Sequence, residues 1–129
     1  MLSEQTVGTP LEELESVTSA PELLQLIDEA QAVFVEESLH RYVVTLLRQT
    51  RSDPRIYLGG SPRAGIALMR VAKARAIARG REYLLPDDVK EVAAHVLSHR
   101  LILAPEARSS GLSGEAVVGE VVEKTPVPV

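Results

Sequence analysis

Between Pro62 and Arg79 the chain keeps apolar side chains nearly all the way round a helical repeat, and many of them are alanine. Ile66, Leu68, Met69, Val71 and Ile77 are spread over every face, with Ala64, Ala67, Ala72, Ala74, Ala76 and Ala78 between them. A surface helix carries one apolar stripe, whereas a helix that is apolar all round has to be surrounded. Small side chains let neighbouring helices approach closely, so this stretch predicts the central helix of its domain, roughly 27 Å long at 1.5 Å per residue. Its ends are punctuated: Ser61 suits an N-cap, Pro62 a first turn, and Gly80 a left-handed C-terminal cap. A chain built round such a helix is mainly α, a small helical bundle.

The partners of that helix are legible nearby. Ser19 and Glu22 have the capping-box spacing ahead of Leu23, Leu24, Leu26 and Ile27, predicting a first helix over about 20–31. Leu39, Tyr42, Val43, Leu46 and Leu47 recur at i, i+3, i+4, i+7 and i+8, predicting a second over 37–51, stopped by Ser52-Asp53-Pro54. Pro86, with Asp87 and Asp88 behind it, opens a fourth whose stripe is Val89, Val92, Ala93, Val96 and Leu97. That makes about four helices. Ala32–Val35 and Glu82–Leu85 are short β-prone runs that could pair, so at most a short two-stranded ribbon is expected. Arg55–Gly60 reads as a loop with Ile56, Tyr57 and Leu58 turned inward. Beyond Pro105 the pattern fades; Ser113 could cap a short helix bearing Val117, Val118, Val121 and Val122, though four valines also suit a strand. The expected organisation is a linker over 1–9, a helical domain over 10–104, and an extension over 105–129.

Arg63 is out of place electrostatically. It follows Ser61 and Pro62 at the positive end of the central helix, where a cation loses on the order of 0.3–1 kcal/mol unless an anion meets it. A phosphate held between this guanidinium and the free amides of the helix start would reverse that sign. A capped helix with a solvated arginine is the plainer alternative. Net charge is −4, but residues 1–40 carry nine carboxylates and no Lys or Arg, residues 41–81 ten basic groups and one acid, and residues 82–129 eight acids and four bases. A basic middle third between acidic flanks suits an anion or an acidic partner, unless the blocks neutralise one another within the fold.

Much chemistry is excluded. There is no Cys, which removes disulfides, thiolate metal sites and cysteine nucleophiles. Gly60 and Gly65 have the glycine spacing of a phosphate loop, but Ile66 and Ala67 stand where Lys and Ser or Thr belong. His95 and His99 have a metal-clamp spacing without a third ligand near them, so no metal site is expected. Glu12, Glu13, Glu15, Asp87 and Asp88 read as solvated faces rather than acid/base pairs. No run is long enough to span a membrane, and the start lacks a signal-peptide layout, so the sequence reads as soluble and cytoplasmic. Four aromatics offer little to stack bases on, which argues against nucleic acid.

The succession Tyr42-Val43-Val44 with Thr50-Arg51, Gly60-Ser61-Pro62-Arg63-Ala64, Ala72-Lys73-Ala74, Gly80-Arg81-x-Tyr83, Pro86-Asp87-Asp88-Val89-Lys90 and Val96-Leu97-x-His99-Arg100-Leu101 resembles the C-terminal lid domain of MoxR-family AAA+ ATPases. The likeness runs in order over roughly Pro10 to Leu103. It implies a lid that follows a P-loop core, and that core is not in this sequence, so the chain looks like part of an ATPase and not catalytic in isolation. It implies that Arg63 is the sensor-2 arginine, the one catalytic group here, reaching the terminal phosphate of ATP whose Mg is held by the core. Ser61 and Pro62 would aim it, and Arg51 would share the nucleotide-facing side or a subunit boundary. The family implies a chaperone-like role, the AAA+ core of the same polypeptide as first partner, a homo-oligomeric ring, and a von Willebrand factor A-type partner protein. The alternative reading is a stand-alone helical module whose basic face docks an acidic protein or nucleic acid.

Overall fold

The computed structural model describes residues 14–127. Six helices form it: α1 (Ala20–Ala32), α2 (Glu37–Ser52), α3 (Pro62–Ala78), α4 (Pro86–Leu97), α5 (Pro105–Ser109) and α6 (Gly114–Lys124). Two short strands, β1 (Ile56–Leu58) and β2 (Ile102–Leu103), pair antiparallel, and a 3₁₀ turn (Ser98–Arg100) follows α4. The domain is mainly α, as the patterning requires. The expected linker over 1–9 and the four residues after it lie outside the described residues, as do Pro128 and Val129.

α3 is central: α1, α2 and α4 all pack on it. Its Ala64, Gly65, Leu68, Ala72 and Ala76 are buried, so the contacts fall mostly on small residues. The α2 stripe is buried as its period dictates, together with Thr50. α4 buries Val89, Val92, Ala93, Val96 and Leu97. The Ser19–Glu22 capping box forms in both directions, yet α1 buries none of its residues; Leu23, Leu24, Leu26 and Ile27 all remain exposed. α3 closes on Gly80 at φ +70°, where the Gly80 and Arg81 N–H groups donate to the Ile77 and Ala76 carbonyls.

Three expectations need correction. The ribbon is β1 with β2, in register Ile56 to Leu103 and Leu58 to Ile102. The runs around Val33 and Tyr83 make only a single parallel bridge, Phe34 to Tyr83. Within β1 only Ile56 turns inward; strand alternation and the free face of a two-stranded ribbon leave Tyr57 and Leu58 exposed. Lastly, the core runs straight through the boundary drawn at residue 104. α6 is a helix capped by Ser113. Its Val117, Val118, Val121 and Val122 join the same buried cluster as α2, α3 and α4. Arg55 fastens it further, donating to Asp53 and to Glu120 of α6, the latter at 2.9 Å.

Asp88 is a fourth correction. It is not a solvated carboxylate: it is 2% exposed. Arg81 grips it with two bonds of 2.7 and 2.6 Å, and the Leu85 N–H donates to it at 2.9 Å. Burial pushes its pKa up, but the Arg81 bonds and the Leu85 amide outweigh that and hold the carboxyl below its ordinary range. Arg75 and Arg79 extend the network to Glu91. Asp87, one position earlier, faces solvent.

Candidate functional site

The start of α3 is built from the end of α2. Thr50 is fully buried, and its hydroxyl donates to the Leu47 carbonyl at 2.7 Å while accepting from the Gly60 N–H at 2.9 Å. Arg51, next along α2, donates from Nε to the Gly60 carbonyl at 2.9 Å. Both polar groups of Gly60 are thus held by adjacent residues of one helix. The approach is close enough to exclude side chains. A Cβ on Gly59 would stand 2.7–2.8 Å from Arg51 Cγ, Cα and N, and one on Gly60 would stand 2.6 Å from Leu47 Cδ2. At Gly59 the obstacle is backbone, so glycine is required there; at Gly60 it is the tip of one side chain.

Ser61 follows as the N-cap, with extended backbone (φ −78°, ψ 165°) and a hydroxyl that accepts from the Ala64 N–H at 3.3 Å. Its carbonyl also takes the Ala64 and Gly65 amides. Pro62 occupies the first turn and brings no N–H. Among the described residues this leaves the Ser61 and Arg63 amides without an intrachain acceptor at the helix start. Arg63 itself is exposed and makes no ion pair with any described carboxylate. A free guanidinium therefore sits beside a free amide at the positive end of a 17-residue helix. That arrangement suits an anion with oxygens to share between them.

The residues singled out in the sequence thus fall into one short connection, in different roles. Ser61 and Pro62 form the helix start. Arg63 projects from it. Arg51 spends its Nε on Gly60, so it positions the turn as well as presenting the remainder of its guanidinium. Thr50 is the member that sequence reasoning missed. It stood beside Arg51 in the matched Thr-Arg pair, but only burial and the Gly60 contact reveal its task. His95 on α4 and His99 in the 3₁₀ turn after it are exposed, and His99 Nδ1 lies 3.1 Å from the His95 carbonyl, an ordinary contact within a helix end.

The chain is similar to known proteins along most of its length. Residues 48–121 match the family model described as the AAA lid domain. The YeaC protein of Bacillus subtilis (strain 168), itself uncharacterised, is 40% identical over 129 residues, covering 100% of this chain and 40% of that protein. The chaperone MoxR1 of Mycobacterium tuberculosis is 32% identical over 131 residues, covering 95% of this chain and 35% of its own length. A crystal structure of a presumed ATPase from Cytophaga hutchinsonii superposes with TM-score 0.86 at 31% identity, over 99% of this chain and 41% of that one. The chain spans about two fifths of the length of the proteins it matches. With Thr50, Arg51, Ser61, Pro62 and Arg63 all inside the matched span, the chain belongs to the AAA lid domain family, as a lid of the MoxR type.

Proposed function

We propose that this domain is the nucleotide-sensing lid of a chaperone-like MoxR ATPase, and that Arg63 is its sensor-2 arginine. The observation that carries the reading is the state of Arg63: exposed, unpaired among the described residues, and fixed at the start of α3 beside an unused amide. These groups fit a phosphate. ATP, with Mg held by a P-loop core, would be the ligand, and its terminal phosphate the group that Arg63 meets. A guanidinium forked onto phosphate oxygens stabilises charge that spreads over them during transfer. Ser61 and Pro62 set the direction of the helix start, and Thr50 and Arg51 brace the turn behind it. On loss of the terminal phosphate Arg63 would lose its partner, freeing the lid to turn relative to the core. Assembly as a homo-oligomeric ring, action beside a von Willebrand factor A-type protein, and a cytoplasmic location belong to the same proposal. No described helix is long and apolar enough to cross a membrane.

The test is Arg63→Ala in the full-length ATPase. Turnover should fall by about two orders of magnitude or more, while nucleotide affinity changes little, because the lost contact acts mainly in the transition state. Unchanged turnover would exclude the phosphate role for Arg63.

A further inference from the structure

On the side of α3 away from α4, an open groove of about 1030 Å³ runs between α1, α2 and α3. Its floor is apolar: Ile27, Val43, Val44, Leu47, Ile66 and Met69 line it. Ile27, Val44 and Ile66 remain 45%, 47% and 55% exposed, which is unusual for β-branched aliphatic residues clustered together. The rim carries Arg48, Arg51, Arg70 and Lys73, and among the described residues no Asp or Glu lines the groove.

The state of these cations sets them, with Arg63, apart from the rest of the basic middle third. Arg75 of α3 and Arg79, the residue that caps its end, are paired with Glu91 of α4. Arg55 and Arg81 are paired with Asp53 and Asp88. None of the four groove cations is in an ion pair with a described carboxylate; Lys73 and Arg51 reach only backbone carbonyls, at Gln31 and Gly60. Internal neutralisation therefore accounts for the cations packed toward α4 and α6 and fails for those round the groove. α1, which forms one wall, buries no residue of its own. A 13-residue helix is marginal without burial, so an occupant that covered the groove would also stabilise its wall.

We propose that this groove docks an acidic amphipathic helix of a partner protein. The apolar floor would receive its i, i+3, i+4, i+7 side chains, and the carboxylates flanking that stripe would meet Arg48 of α2 and Arg70 of α3. The apolar floor favours a protein helix over nucleic acid, whose backbone offers it nothing. The inference goes beyond the nucleotide reading: the groove adjoins the start of α3, with Arg51 and Pro62 on its lining, but neither Arg63 nor Ser61 lines it, and a peptide-binding assay without nucleotide separates the two.

The experiment uses the complete chain and a fluorescent synthetic helix of about five turns, with leucine at i, i+3, i+4, i+7 and glutamate elsewhere, followed by anisotropy. Saturable binding that weakens with salt is expected. It should be at least about tenfold weaker for a scrambled peptide and for one with lysine in place of glutamate. Val44→Asp and the double variant Arg48→Glu/Arg70→Glu should each lower affinity by about tenfold or more, while Arg100→Glu, outside the groove, should not. All are exposed positions, and circular dichroism melts verify that each variant folds. Four results would overturn the proposal: no saturable binding, equal binding of the scrambled peptide, tighter binding of a single-stranded oligonucleotide, or sedimentation showing a dimer that Val44→Asp dissociates. The last would give the groove to a second copy of the chain.

Discussion

The hydroxyl of Thr50 and the amide of Gly60 meet at 2.9 Å in a fully buried position, and through that one bond the end of α2 sets where α3 begins. The same hydroxyl donates to Leu47, so it is satisfied in both directions. The turn carrying Ser61, Pro62 and Arg63 is therefore fixed from behind by a buried side chain.

Thr50→Val, nearly isosteric, leaves the Gly60 N–H buried without an acceptor and should cost about 1–3 kcal/mol. Thr50→Ser keeps the oxygen and should recover most of it. Urea denaturation of the isolated chain separates the two; a Thr50→Ser variant less stable than Thr50→Val would mean that the methyl group, not the hydroxyl, matters.

Gly59→Ala and Gly65→Ala place a Cβ at similar distances from their neighbours, yet they should differ. At Gly59 the obstacle includes backbone atoms of Arg51 at 2.8 Å, which cannot yield, and a loss of about 2 kcal/mol is expected. At Gly65 it is the tip of Leu47 at 2.8 Å, which can turn aside, and alanine gains about 1 kcal/mol of helix propensity. Gly65→Ala should therefore be near neutral. Thermal melts that rank the pair the other way would contradict the packing described for α2 on α3.

Arg63→Gln should leave the isolated domain at least as stable as the parent. The arginine pairs with no described carboxylate and opposes the helix dipole, so removing its charge should add about 0.3–1 kcal/mol. A clear loss in a denaturant titration would reveal an intramolecular partner and weaken the case for an external anion.

Asp88 should make stability depend on pH in one direction. Its carboxyl is held below its ordinary value in the fold and titrates near 3.9 when unfolded. A group lowered in this way contributes fully above the unfolded pKa and loses that contribution as pH falls through the folded one. Asp88→Asn should therefore cost about 2 kcal/mol at neutral pH. The gap to the parent should close below about pH 4. Melting curves of both proteins across that range provide the check; a gap independent of pH would assign the effect to packing.

Tyr42 offers the opposite case. Its ring is buried in the core and its hydroxyl has no hydrogen-bond partner among the described residues. Tyr42→Phe removes an unsatisfied polar atom and keeps the ring, so the melting temperature should hold or rise. A fall would show that the hydroxyl is satisfied in solution, by a trapped water.

Most helices were legible because each advertises itself locally. The α2 stripe, the Ser19–Glu22 box, the Ser61-Pro62 start and the Gly80 stop are properties of residues within one or two turns. The candidate site was legible for a related reason, since Ser61, Pro62 and Arg63 are consecutive and their dipole argument needs no tertiary contact. β1 and β2 were not, because a two- or three-residue strand has too short a pattern to register. Their pairing joins residues more than forty positions apart. Asp88 was misread because an acid in a first turn usually faces water, and nothing local tells that Arg81 will close over it.

By itself, then, the order of residues determined that the chain is a bundle round an alanine-rich helix with a lone arginine at its positive end, since periodicity and capping are short-range. Packing alone decided which cations would be neutralised and which left facing the groove between α1, α2 and α3. It also decided that α6 belongs to the core and that Thr50 anchors Gly60. Burial and ion pairing depend on which distant segments meet, and that is a property of the folded chain, not of neighbours in sequence.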